Sequence, residues 1–568
     1  MANLVLGPIL RHVEATEATL WVETDARCEV EVLGTASPTF AVEGRHYALV
    51  ELRGLEPGTT REYSVRLDGD VVWPPPGSDL PPSLIRTLAP GDEIDVVFGS
   101  CRVSLPHEPP HVLHEPEDEE AQGIDALRTL ALRLTRAPSD EWPDCLLMLG
   151  DQIYADDLSP AMLEVTRGRP GRDDAPPGEL ADYDEYALAY REAWSEPLIR
   201  WLLATVPTAM IFDDHEIHAQ WKISKAWVDE MRQKPWYDRH IAAGLAAYWV
   251  YQHLGNLSVA ELDANDLLRR VRAADDAGPL LLEEMRGADR QPGHSRWSFS
   301  RDLGRIRLVA IDTRAGRELD PGARRIIDEG EWNWVTGQAS GDFDHLLLAS
   351  SVPFFLPAGL HHAEAWIDAV ADGAWGSPAS RVAERIRRAA VMDHWAAFRQ
   401  SFARLGELLE DVVSGRCGPP PAAVIMLSGD VHHCYLAEVE LPAGTAAGTP
   451  VWQAVCSAYR KDLNRHERLA MRLGNSRFGG WLGRSLARLA GERQPRAAWR
   501  LVEEPCYENQ IGTLSLAPKR AHLRVETTAD ADWRRPELRT VFEHRLLDHP
   551  GAGRRAPGQP PSREQVTS

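Results

Sequence analysis

Four short apolar runs in this 568-residue chain stop abruptly at ligand-type residues, and that repetition constrains the fold more than any other feature. Leu146-Leu147-Met148-Leu149 ends in Gly150-Asp151, with Tyr154 three residues further on. Ile94-Asp95-Val96-Val97-Phe98 runs into Gly99-Ser100-Cys101, and Thr208-Ala209-Met210-Ile211-Phe212 into Asp213-Asp214-His215-Glu216. Val424-Ile425-Met426-Leu427 closes in Ser428-Gly429-Asp430-Val431-His432. An apolar run closed by such residues has the profile of a buried strand that delivers a side chain at its C-terminal end. In open α/β sheets, ligands bind beyond those ends.

The stretches between these runs predict an α/β fold. Helix is expected over 124–136, 182–204, much of 219–290 and 379–412. Further strands are expected at 306–311, 345–350, 434–441, 451–457, 510–516 and 521–528. Residues 3 to about 88 differ: they alternate apolar and polar, carry turn signals such as Glu56-Pro57-Gly58-Thr59, and show no helical period. They predict a small β-sandwich over 1–89, ahead of a larger domain over 90–544. The Pro, Gly and Arg content from 545 to 568 predicts a disordered tail.

Composition narrows the function classes. A net charge of −23 leaves no general signal for gripping nucleic acid. Seven widely spaced cysteines do not make a disulfide framework. The N-terminus has no basic region, twin arginine or long apolar run, and no stretch approaches the about 18 apolar residues of a membrane span. The default expectation is a cytoplasmic protein. Residues 464–500 stand apart with nine Arg, no Lys and two Glu. They read as a basic helical segment pairing with the acidic body, or else as a lid over an anionic substrate or a surface for anionic lipid.

Taken together, Cys101, Asp151, Tyr154, Asp214, His215, Asp430 and His432 could converge on one sheet edge. Carboxylates resist ionising side by side, and a cation among them resolves the conflict. Hard oxygens with one soft sulfur suit a trivalent iron beside a harder divalent ion better than a structural zinc. Two metals about 3.5–4 Å apart would lower the pKa of a shared water and clamp a phosphoryl oxygen. Asp151 is the natural bridging ligand, and His215 is placed to orient the phosphate or protonate the leaving oxygen.

Gly99-Ser100-Cys101, Gly150-Asp151-Gln152-Ile153-Tyr154, Asp213-Asp214-His215-Glu216 and Ser428-Gly429-Asp430-Val431-His432 resemble the motif set of the PhoD-like alkaline phosphatases, a branch of the calcineurin-like metallophosphoesterases. The resemblance implies a four-layer α/β/β/α core preceded by an Ig- or fibronectin-like sandwich. It implies ferric iron on Cys101, Asp151 and Tyr154. It implies a second metal, calcium in this family, on Asp214 and Asp430, with His432 completing the cluster; Mn2+, Zn2+ or Mg2+ are alternatives. His215 matches the histidine at the scissile phosphate. Arg314, after Ile311-Asp312-Thr313, is given a phosphate-binding role, and Arg102 is a weaker candidate for it. The expected activity is hydrolysis of phosphate mono- or diesters. The alternatives are a non-catalytic metal-containing binding protein and a lipid-surface phosphodiesterase using 464–500.

Overall fold

A computed structural model describes residues 2–547 except 90, 115–119, 170–174, 443–447, 464–467, 469–470, 472–473, 475, 493–494, 504 and 529–531. The tail expected from 545 therefore lies outside the described residues, save that the strand Arg539–Leu547 runs past that point.

Two large sheets make the centre. In one, the order is Thr208–Ile211, Cys145–Leu149, Ile94–Gly99, Gln510–Ala517, Arg520–Thr527, Arg539–Leu547. Its first three strands are parallel and the remainder pair antiparallel. In the other, the order is Phe299–Leu303, Ile306–Ile311, His345–Ser350, Ala423–Ser428, Val451–Val455, Tyr435–Glu440, Ala498–Leu501. There Ile306–Ile311, His345–Ser350, Ala423–Ser428 and Val451–Val455 are parallel.

Strand alternation sorts the side chains into layers. Val96, Phe98, Leu147 and Leu149 meet Leu308, Leu347, Ile425 and Leu427 between the sheets. Val97, Leu146 and Met148 face the helices Ala126–Leu134, Tyr183–Trp194 and Tyr237–Tyr251. Val309, Leu346, Leu348 and Val424 face the helices Glu329–Gln338 and Arg399–Val413. The result is helix, sheet, sheet, helix, the four-layer α/β/β/α core expected.

Residues 4–86 form small antiparallel sheets: Leu4–Val13, Glu17–Thr24, Arg45–Arg53 and Phe40–Val42 in one, and Thr35–Pro38, Glu29–Val32, Val65–Leu67 and Asp70–Trp73 in another. Leu20, Val22, Val50 and Leu52 fill the space between them with Val30 and Val65. Trp21, Tyr47 and Leu49, on the opposite face, pack against the helices of the larger region. Tyr251 joins that contact, its ring 5.1 Å from Trp21 and 5.5 Å from Tyr47. Arg11 is buried there and donates to the carbonyls of Tyr251 (3.2 Å) and Gln252 (2.6 Å).

Two helical expectations need correction. The span 182–204 is two helices, Tyr183–Trp194 and Pro197–Thr205, because Pro197 can start a helix but not continue one. The span 379–412 is also two, Ser377–Ala389 and Arg399–Val413. The break between them carries Asp393 and His394, both of which reach the site.

Candidate functional site

The parallel strands of both sheets end at one place. Cys101 N donates to Gly150 O at 3.0 Å, and Gly429 N to Ser351 O at 2.9 Å. Ser100 Oγ accepts from Asp430 N at 2.9 Å, joining the two sheets at their C-terminal edges. The fit allows no extra atoms: a Cβ on Gly150 would lie 2.6 Å from Asp213 Cβ, and one on Gly429 would lie 2.3 Å from Ser100 Oγ.

The backbone is held in the left-handed region at four of the residues in question: Cys101 (φ 56°), Asp151 (φ 53°), Asp430 (φ 67°) and His432 (φ 49°). Non-glycine residues seldom adopt it, and such conformations cluster at functional sites.

The structure brings Cys101, Asp151, Tyr154, Asp214 and Asp430 together. Cys101 Sγ lies 3.4 Å from Asp151 Oδ2 and 3.7 Å from the Asp430 carbonyl. Carboxylate oxygens of Asp151, Asp213 and Asp214 lie within 4.8 Å of one another. Asp213 is a member that the sequence reading passed over in favour of its neighbour. Asp214 Oδ2 accepts from Gln220 N at 2.7 Å. Burial, then the neighbouring Cys101, pushes the Tyr154 phenol well above its usual pKa. Burial likewise raises Asp151, with Asp213, Asp214 and Asp430 adding to it and His215 opposing. His432 is partly exposed, and burial followed by Lys461 pushes it down to about 3.

Arg314 is enclosed. Its side chain is 1% exposed and ion-paired with Asp213 and Asp393, with Asp214 at 3.3 Å and Asp430 at 3.8 Å. Arg102, the weaker phosphate-binding candidate, is buried, donating to Asp125 at 2.8 Å and to the Ala193 carbonyl at 2.8 Å.

His215 is a third exposed, its Nδ1 2.8 Å from Asp156 Oδ1, with the Tyr154 ring centroid 5.0 Å from its own. Burial lowers its pKa, but Asp156, then Asp214 and Asp151, outweigh that and raise it. Asp156 also accepts from Ala219 N. His394 bridges Glu364 (2.7 Å at Nδ1) and Asp430 (3.1 Å at Nε2). Sequence reasoning missed Asp156, Glu364, Asp393 and His394. Only Asp156, two residues past Tyr154, carried a usable signal; the others follow no strand.

The donor set fits cations. Among the described residues, Asp151 Oδ1, Asp213 Oδ2 and Tyr154 Oη are buried without a hydrogen-bond partner, which is costly unless something positive meets them. Beside Tyr154 opens a cavity of about 340 Å³, lined by Ile153, Leu158, Met162, Leu163 and Lys461 among others. Lys461 Nζ sits 4.7 Å over the Tyr154 ring and pairs with Asp157.

Comparison with known proteins bears on the family and the fold. A family model described as a PhoD-like phosphatase matches residues 129–473, and one described as a domain of unknown function (DUF7800) matches residues 1–85. Cys101 falls between the two, yet lies in the site. No curated protein sequence matches. Among solved structures, one described as PhoD is 13% identical with a TM-score of 0.58, covering 96% of this chain and 91% of that one. Purple acid phosphatase PPD1 from yellow lupin (Lupinus luteus) seeds is 12% identical with a TM-score of 0.44, covering 92% and 72%. The first supports the fold. The matched family model spans more than half of the chain: this protein belongs to the PhoD-like phosphatase family.

Proposed function

We propose that this phosphatase hydrolyses phosphate esters at a two-cation centre held by Cys101, Asp151, Tyr154, Asp213, Asp214, Asp430 and His432. The observation that carries this reading is the set of buried, unpartnered oxygens on Asp151, Asp213 and Tyr154. The Cys101 sulfur and Tyr154 phenol suit Fe3+, and the carboxylates beyond Asp151 suit Ca2+. Cations bound there supply an activated water and neutralise the phosphoryl oxygens.

The chain's own residues do the rest. Asp156 holds His215 through Nδ1, which leaves Nε2 to donate a proton to the departing ester oxygen. Arg314 is a positioning residue: with its guanidinium among four carboxylates, it keeps Asp213, Asp214 and Asp430 in register rather than binding phosphate. His394, steadied by Glu364, orients Asp430. The cavity beside Tyr154 accommodates the ester's organic group, which suits diesters as well as monoesters.

Elemental analysis of purified protein, with parallel assays of p-nitrophenyl phosphate and its bis-ester, tests the proposal. Iron plus a second metal is expected, with both metal and turnover lost in Cys101→Ala and Asp151→Asn. Metal-free protein after reconstitution would overturn it.

A further inference from the structure

The helix Arg477–Leu489 is packed inside out. Its small residues face the protein, where a Cβ on Gly483 would lie 2.9 Å from Gly359 O. Its large apolar residues face outward: Phe478 is 68% exposed, Trp481 60%, Leu482 40% and Leu489 72%. Three of these are the most exposed large apolar side chains among the described residues. The patch is continuous at both ends. The rings of Phe478 and Trp481 lie 6.2 Å apart, and the exposed Trp375 donates from Nε1 to the Leu489 carbonyl at 3.4 Å.

Charge follows the same pattern. Most arginines of the basic segment whose side chains are described pair with the acidic body: Arg468 with Asp462 and Glu508, Arg496 with Glu407 and Glu410, and Arg500 with Glu438. Arg484 and Arg488, on the outward helix, have no carboxylate partner among the described residues. They instead hold the nearby His362 below its ordinary pKa, secondary to its burial.

We infer that the helix Arg477–Leu489 is a docking surface for an anionic lipid bilayer. Trp, Phe and Leu on one side of a helix with unneutralised arginines beside them is the composition of an interfacial helix. Arginine stems can lie along the acyl boundary while their heads reach lipid phosphates. A second copy of the chain is a poorer occupant: a symmetric contact would bring two arginine-bearing faces together, positive against positive. The strongly acidic remainder of the chain confines attachment to this edge and makes it salt-sensitive. This inference stands apart from the phosphoesterase reading, because vesicle binding reads no turnover.

The test is co-sedimentation of the full-length protein with phosphatidylcholine vesicles, with and without phosphatidylglycerol. Binding is expected to the anionic vesicles at low salt and to fall as salt rises. The double variant Arg484→Glu/Arg488→Glu and the single variant Trp481→Glu should each weaken it about tenfold or more. Hydrolysis of a soluble p-nitrophenyl ester and thermal unfolding should be unchanged in both, which separates lost docking from lost folding. Absence of sedimentation with anionic vesicles at low salt would overturn the proposal, as would equal binding by the variants. A concentration-dependent dimer abolished by Trp481→Glu would overturn it in favour of self-association.

Discussion

At the scale of single residues, the proposed centre separates groups that would hold cations from groups that aim other groups. Asp156 touches His215 and the Ala219 amide. Asp156→Asn should therefore lower turnover about 10–100-fold while leaving bound metal intact, as losses of orienting partners do. Asp151→Asn should lose both. Metal content measured beside kcat distinguishes them. The sequence showed the residues that end strands, since an apolar run stopping at Gly-Asp is visible in one dimension. It could not show Glu364, Asp393 or His394, which arrive from helices and loops far along the chain. The family resemblance gave Arg314 a phosphate-binding role, whereas the folded chain surrounds that side chain with aspartates.

At the scale of elements, strand ends and helix starts carry the strain and the charge. Gly150 sits at φ 113° with no room for a Cβ beside Asp213. Gly150→Ala should cost about 2–4 kcal/mol of stability and displace Asp151, read as a lower melting temperature together with lost metal. Asp125 caps the helix Ala126–Leu134, accepting from Arg128 N at 3.0 Å, and pairs with Arg102. Burial opposes its charge, but Arg102, then His107 and Arg460, prevail and hold its pKa below the ordinary value. A carboxylate depressed in the folded state stabilises above its unfolded pKa of about 3.9, and that stabilisation is lost as pH falls through the folded value. Asp125→Asn should thus cost about 3 kcal/mol near neutrality. The melting-temperature gap to the parent protein should narrow as pH drops below about 4. Element existence was legible in hydrophobic period. The break at 390–398 was not, because Ala390-Val391-Met392-Asp393 contains neither Gly nor Pro to announce it.

At the scale of the whole molecule, the N-terminal sheets are built into the larger body rather than tethered to it. Trp21, Tyr47 and Leu49 share one apolar cluster with Tyr190, Trp194 and Tyr251. Removing residues 1–88 should expose that face and yield insoluble protein, and Arg11→Met should leave the carbonyls of Tyr251 and Gln252 unpaired and lower the melting temperature. A soluble, active truncation would contradict this. The strand pattern of 3–88 predicted a sandwich, which has one buried interior. It did not reveal the second apolar face, because alternating strands with Trp and Tyr on the outer face look the same whether a helix covers them or not. Among the described residues, no helix is long and apolar enough to cross a membrane.

The site draws Cys101, Asp151 and Asp214 from the ends of one sheet and Arg314 and Asp430 from the ends of the other, so it works as a seam between two slabs. Any sliding of one slab over the other would pull that seam apart by the same amount. Occupancy of the centre would then act as a strain gauge for the molecule, reporting from a few side chains whether the two halves of the fold are in register.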